Sequence, residues 1–262
     1  MGDAAGPGRV SVVTGASQGI GRVLALTLAS RGDAVVLAAR NEANLADVAA
    51  QIAASGGTAL TVPTDVTELA SVEAMVAATV ERFGRLDVVV ANSGIGGPSG
   101  PLWEADPQQW TDTLAVNVTG VFHTLRATMP AMLGNGSGAA VVVGSISGKR
   151  PLYGRTAYTA SKMALVGLVR TLALEAGPHG VRVNLVSPGF VAGPRIDWVI
   201  AAQAKARGHD EAAVRAEFER QSPLGRLTEA TDVADAVAYL TSDGAAGITG
   251  ADLNVNAGVV MY

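Results

Sequence analysis

The chain has 262 residues, 48% hydrophobic and 16% charged, with a formal net charge of −4 and no cysteine. That length holds one large α/β domain or two small ones, and the apolar share can build a large core. The charge balance argues against nucleic acid, which demands a basic face. The missing cysteine excludes disulfides and every cysteine-ligated zinc site.

Residues 1–8 have neither a basic region nor an apolar core, so they read as a short flexible tail and not as a signal peptide. No apolar run reaches membrane-spanning length, and a cytoplasmic location without membrane partners is expected. Residues 10–13 are apolar and β-branched and read as a buried strand. Thr14-Gly15-Ala16-Ser17-Gln18-Gly19-Ile20-Gly21 follows, and then a run of helix formers from Arg22. A strand, a glycine-rich turn and a helix start form an anion site, because the first helical N–H groups are free and the dipole favours negative charge. Missing Cβ atoms let a pyrophosphate approach the backbone.

Strand and helix patterns then alternate. Strands are expected at 34–39, 58–62, 86–91, 139–145, 181–186 and 252–255. Helices are expected at 42–55, 68–83, 107–132, 156–177 and 232–240. Alternation with near-continuous apolar strands predicts a parallel sheet covered by helices on both faces. Residues 193–226 break the rhythm: they are charged, alanine-rich and helical in pattern. We read them as a substrate lid inserted in a single domain, with Ile196, Trp198, Val199 and Ile200 facing the pocket.

The fifth strand leads to Ser145, and the helix after it opens with Tyr158-Thr159-Ala160-Ser161-Lys162. Residues four apart share a helix face, so the phenol and the ammonium can meet. A free phenol, with a pKa of about 10, is a poor acid or base near neutrality; a nearby cation brings it toward use.

The glycine loop, Asn117, Ser145, Tyr158 and Lys162, in that order, resemble the short-chain dehydrogenase/reductase family over nearly the whole chain. The resemblance implies one doubly wound Rossmann-type domain with a seven-stranded parallel sheet. It implies that Tyr158 exchanges a proton with the substrate oxygen and that Ser145 hydrogen-bonds that oxygen. Lys162 would hold the nicotinamide ribose and lower the tyrosine pKa, and Asn117 a water linking Lys162 to solvent. Gly15, Ser17, Gln18, Gly19, Ile20 and Gly21 would bind the cofactor's phosphates, Ser17 adding a neutral hydrogen bond at a 2′-phosphate, and Asp65 and Val66 would meet the adenine. Asn92 and Gly94 match the family's next cofactor segment, although Ala91 and Ser93 depart from its Asn-Asn-Ala-Gly. Pro188, Gly189 and Val191 match the turn that meets the carboxamide, where Gly193 stands near the place of the usual threonine.

Arg40 follows the second strand directly, and no carboxylate is well placed there: Asp33 precedes the strand and Glu42 opens the next helix. A guanidinium can fork onto a 2′-phosphate, so NADP(H) is expected over NAD(H), which stays possible. Gln18 stands where many NADP-binding relatives carry a second basic residue.

The expected activity is interconversion of a ketone and a secondary alcohol. Ser147, Tyr153, Phe190 and Trp198 would line the substrate pocket. Lys149 and Arg150 read as solvated loop charges. His123, His179 and His209 lack metal or triad spacing, and no metal is expected. Val143 and Ser145 occupy the first position of a G-x-S-x-G elbow at Ser145 and Ser147, which argues against a hydrolase.

Three other readings compete. One is a non-catalytic dinucleotide-binding regulator; another is a sugar-nucleotide epimerase, whose larger carboxyl-terminal region is absent. The third is a 3-oxoacyl thioester or polyketide ketoreductase, which residues 250–258 resemble. Where carrier-protein reductases present arginines, this chain has Pro130 and Leu174, so a free substrate is preferred. The family resemblance also implies a homotetramer built through the helices at 107–132 and 156–177 and through the carboxyl-terminal strand.

Overall fold

The computed structural model describes residues 8–262, so the tail expected at 1–8 lies, but for Gly8, outside the described residues. Seven strands, β1 (Arg9–Thr14), β2 (Asp33–Ala39), β3 (Thr58–Pro63), β4 (Val88–Ala91), β5 (Gly138–Val143), β6 (Val181–Pro188) and β7 (Asp252–Val255), form one sheet. Its order is β3-β2-β1-β4-β5-β6-β7, and every pair is parallel. The strand order reverses between β1 and β4, which opens a crevice at their carboxyl ends, where α/β sheets bind ligands.

Strand residues alternate between two cores. Val10, Val12, Val36, Val89 and Val142 face one side and pack under α3 (Leu69–Phe83), α5 (Gly120–Asn135) and α6 (Thr156–Ala176). Val13, Val35, Leu37, Val90 and Val141 face the other, under α1 (Gly19–Ser30), α2 (Glu42–Ala54) and α9 (Ala230–Leu240). Burial on both faces explains why the central strands lack polar alternation. At the opposite end of the sheet from the crevice, Asp33 opens β2. It lies buried, held by Arg9 at 3.0 Å and by the Ser11 hydroxyl, and so does not precede the strand as expected.

The expected single helix at 107–132 is broken. It runs as α4 (Pro107–Leu114), a π-helical turn (Ala115–Thr119) and then α5. The extra residue per turn rotates Asn117 inward, where its side chain is fully buried. Such π-turns mark functional sites.

The insert at 193–226 folds as α7 (Pro194–Arg207) and α8 (Glu211–Arg220), with a small core of its own from Ile196, Ile200, Ala204, Val214, Phe218 and Leu227. Ile200 therefore packs between these two helices and does not face the pocket.

Candidate active site

β1 ends in the glycine loop. Gly15 and Gly19 adopt φ of +67° and +54°, the left-handed region that glycine tolerates. A Cβ on Gly21 would lie 2.1 Å from the Gly15 carbonyl and 2.6 Å from Asn92 Nδ2, so only hydrogen fits there. Gln18 caps α1 without a side-chain hydrogen bond and the first turn carries no acid, which leaves that terminus open to an anion. Asn92 Nδ2 donates to the Thr14 carbonyl at 3.0 Å, so this side chain braces the loop from behind.

Every cofactor residue picked from the sequence, together with Ser147, Tyr153, Phe190 and Trp198, borders one cleft of about 1370 Å³. Small-molecule sites commonly occupy about 300–1,000 Å³, so this volume suits a dinucleotide together with a substrate. Arg40 lies at one end with its side chain 74% exposed, 4.0 Å from Asp65. Hydrogen bonds from the Thr67 N–H and hydroxyl hold the Asp65 carboxyl below the ordinary carboxylate range, with a smaller contribution from Arg40. Gly189 closes the turn after β6, where a Cβ would meet Asn256 at 2.7 Å. The parallel bridge between Val191 and Thr228 uses Phe190 O and Ala192 N, so among the described residues Val191's own N–H and carbonyl stay unpaired. Gly193, at φ +133°, begins α7 in a conformation closed to a threonine.

At the other end, Ser145 lies just past β5 and caps a short 3-10 turn; its Oγ accepts the Ser147 N–H at 3.1 Å. Tyr158 and Lys162 stand one turn apart on α6, with Nζ 5.8 Å from the phenol ring centre. Lys162 is buried and donates to the Val143 carbonyl at 2.8 Å. Burial lowers its pKa first, and the neighbouring Arg195 adds to this; Tyr158 opposes both. Burial pushes the Tyr158 phenol up, but Lys162, Arg195, the nearby Ser145 hydroxyl and Arg155 together outweigh it. Its pKa falls below the ordinary 10.0.

Asn117 is a clamp. Its Oδ1 accepts the Ile95 N–H at 2.8 Å, and its Nδ2 donates to the Ile95 carbonyl at 2.9 Å and to Ser161 Oγ at 3.0 Å. Ser161 in turn donates to the Tyr158 carbonyl at 2.7 Å. The side chain is thus spent on protein partners, and does not itself border the cleft. Ser161 escaped the sequence reading; a serine beside the lysine on an apolar helix was the available signal.

Lys149 is no solvated charge. It is largely buried, 2.8 Å from Asp252 and 2.6 Å from Asn254 Oδ1, and ties the Ser145 turn to β7. Tyr153 and Trp198 border the cleft from its rim, 88% and 63% exposed, whereas Phe190 packs edge-on against Phe218 at 4.8 Å. Arg155 and Arg195 also escaped the reading. Their Cζ atoms lie 5.3 and 5.2 Å from the Tyr158 ring centre. Both are single arginines outside any motif, brought together only by folding.

Comparison with known proteins agrees with this geometry. The sequence pattern described as enoyl-(acyl carrier protein) reductase matches residues 15–260. A cis-4-hydroxycyclohexanecarboxylate dehydrogenase of Sinomonas cyclohexanicum is 39% identical over 258 residues, covering 98% of each chain. The crystal structure of an actinorhodin polyketide ketoreductase with NADPH is similar at a TM-score of 0.92 and 35% identity, covering 97% of this chain and 98% of that one. An NAD+-bound xylitol dehydrogenase gives a TM-score of 0.92 at 30% identity, covering 97% and 100%.

Proposed function

The chain belongs to the short-chain dehydrogenase/reductase family of nicotinamide-dependent oxidoreductases, and from that premise we propose that Tyr158 is the general acid and base of a ketone–alcohol interconversion. The observation that carries this reading is the phenol held among Lys162, Arg195, Arg155 and Ser145 at the end of the dinucleotide-sized cleft, with its pKa drawn down.

A bound nicotinamide dinucleotide supplies the hydride in reduction and takes it up in oxidation. The protein manages the proton. Tyr158 gives one to the substrate oxygen in reduction and removes it in oxidation. Ser145 uses its Oγ to accept the Ser147 N–H, which leaves its own hydroxyl proton for the substrate oxygen. Lys162 keeps two ammonium protons beyond the one given to Val143, available to ribose hydroxyls. Asn117 and Ser161 hold the floor at Ile95 against the α6 turn that carries both residues.

NADP(H) is the preferred cofactor in this reading, because Arg40 is exposed at the end of β2 with Asp65 its one charged neighbour within ion-pair reach among the described residues. Phe122 on α5, Met163 and Leu174 on α6 and Leu253 on β7 are exposed apolar residues, and support a homotetramer that covers them. A second reading, reduction of a 3-oxoacyl or polyketide thioester, is favoured by the likeness to the actinorhodin ketoreductase. Against it stand Pro130 and Leu174, with no basic charge for an acidic carrier.

The test is Tyr158→Phe. Turnover over a ketone panel should fall by about two to four powers of ten, the range for a positioned acid–base group, while cofactor affinity holds within a few-fold. Normal turnover in that variant would remove Tyr158 from the reaction.

A further inference from the structure

A simple ketone presents an uncharged oxygen, yet the pocket beside Tyr158 carries two guanidinium groups that no carboxylate among the described residues pairs with. Arg155 immediately precedes α6, and Arg195 lies in the first turn of α7. Both reach over Gly96. A Cβ there would lie 2.9 Å from Nη2 of Arg195 and 3.1 Å from Nη2 of Arg155, so the missing side chain is the space they fill. Among the described residues the Arg195 guanidinium enters no ion pair and no hydrogen bond, and the Arg155 guanidinium donates only to Ser99 Oγ at 2.9 Å. The two acidic side chains that border the cleft are engaged elsewhere: Asp65 with Thr67 and Arg40, and Glu217 in a fork with Arg207. Burial, and then the like charge of Arg195, draw the Arg155 pKa down. Two cations held this close repel each other in the free protein, and a bridging anion turns that cost into attraction.

We propose that the substrate is a small keto acid or the corresponding hydroxy acid, whose carboxylate bridges Arg155 and Arg195 while its other oxygen meets Tyr158 and Ser145. The inference rests on the ketone–alcohol reading of the site. The arginines lie 5.2 and 5.3 Å from the phenol ring centre, so the anion must stand only a few bonds from the reacting carbon. The phosphate of a pantetheine arm is many bonds further from its ketone, and so fits this pair poorly. A planar carboxylate matches two converging guanidinium forks.

The test compares 4-oxocyclohexanecarboxylate with its methyl ester, which keeps the skeleton and removes the charge. Wild type should prefer the acid in kcat/KM. Arg155→Gln and Arg195→Gln should each cut the acid-to-ester ratio roughly 10- to 150-fold, the equivalent of one charge-assisted hydrogen bond. Gly96→Ala, which pushes both guanidiniums aside and changes no charge, should lower the same ratio. A wild type that handles the ester as well as the acid overturns the inference. So does an equal loss on both ketones in the glutamine variants, which would leave the arginines only tuning Tyr158. A fall in affinity for NADPH and NADH that matches the fall in ratio would give them to the pyrophosphate, and also overturns it. If neither ketone is reduced, calorimetry with cyclohexanecarboxylate and cyclohexanecarboxamide decides. An acid preference lost in Arg195→Gln upholds the anion site and counts only against the ketone reading; equal binding of the two overturns the site.

Discussion

Replacing Asn117 by alanine separates two roles that the family resemblance does not. The side chain is fully buried and makes three hydrogen bonds, at 2.8, 2.9 and 3.0 Å, to Ile95 N–H, Ile95 C=O and Ser161 Oγ. At about 1 kcal/mol net for each bond, the loss is about 3 kcal/mol. Ser161 keeps its bond to the Tyr158 carbonyl, and Ile95 borders the cleft, where water can reach the freed groups, so the cost stays near that sum. For a domain of this size, about 3 kcal/mol corresponds to a fall of roughly 6–12 °C in melting temperature. Gly94 lies between Asn117 and Lys162, where a Cβ would be 3.3 Å from Oδ1 and 3.4 Å from Nζ. Loosening that contact should misplace Lys162 and cost turnover about 100-fold, the scale of a displacement of about 1 Å. Calorimetric melting and steady-state turnover of Asn117→Ala measure both. Unchanged stability and unchanged turnover together would refute the clamp. Unchanged stability with lost turnover would return Asn117 to the water-holding role.

Alcohol oxidation needs the phenolate of Tyr158, whose pKa is lowered, so its rate should rise with pH through a midpoint below 10; Arg195→Gln, by removing a cation, should move that limb to higher pH in an oxidation pH profile. Arg40→Ala should weaken NADPH binding roughly 10- to 150-fold and leave NADH almost unchanged, measured by fluorescence titration; equal losses would remove Arg40 from cofactor choice. Light scattering at micromolar concentration should give four chains, and a monomer would refute the assembly.

The glycine loop, the strand–helix alternation and the Tyr158/Lys162 spacing were legible in the sequence because each depends on residues close in the chain. A turn needs its glycines at fixed offsets, and a helix brings residues four apart together wherever it lies. The identity of the brace on that loop was not legible as such, since Asn92 meets Thr14 only through the pairing of β1 with β4. The same holds for the break in the long helix. Nothing in the pattern of 107–132 announces a π-turn; burying the Asn117 amide against Ile95 and Ser161 does. Lys149 read as a solvated charge because its partner Asp252 stands a hundred residues away on the edge strand. Arg155 and Arg195 belong to two different segments, and only the return of the chain after β6 sets both against one phenol ring. Local periodicity thus determined the elements and the proton-transfer pair. The electrostatic surroundings of that pair were decided by tertiary structure, because charges interact through space and not along the chain.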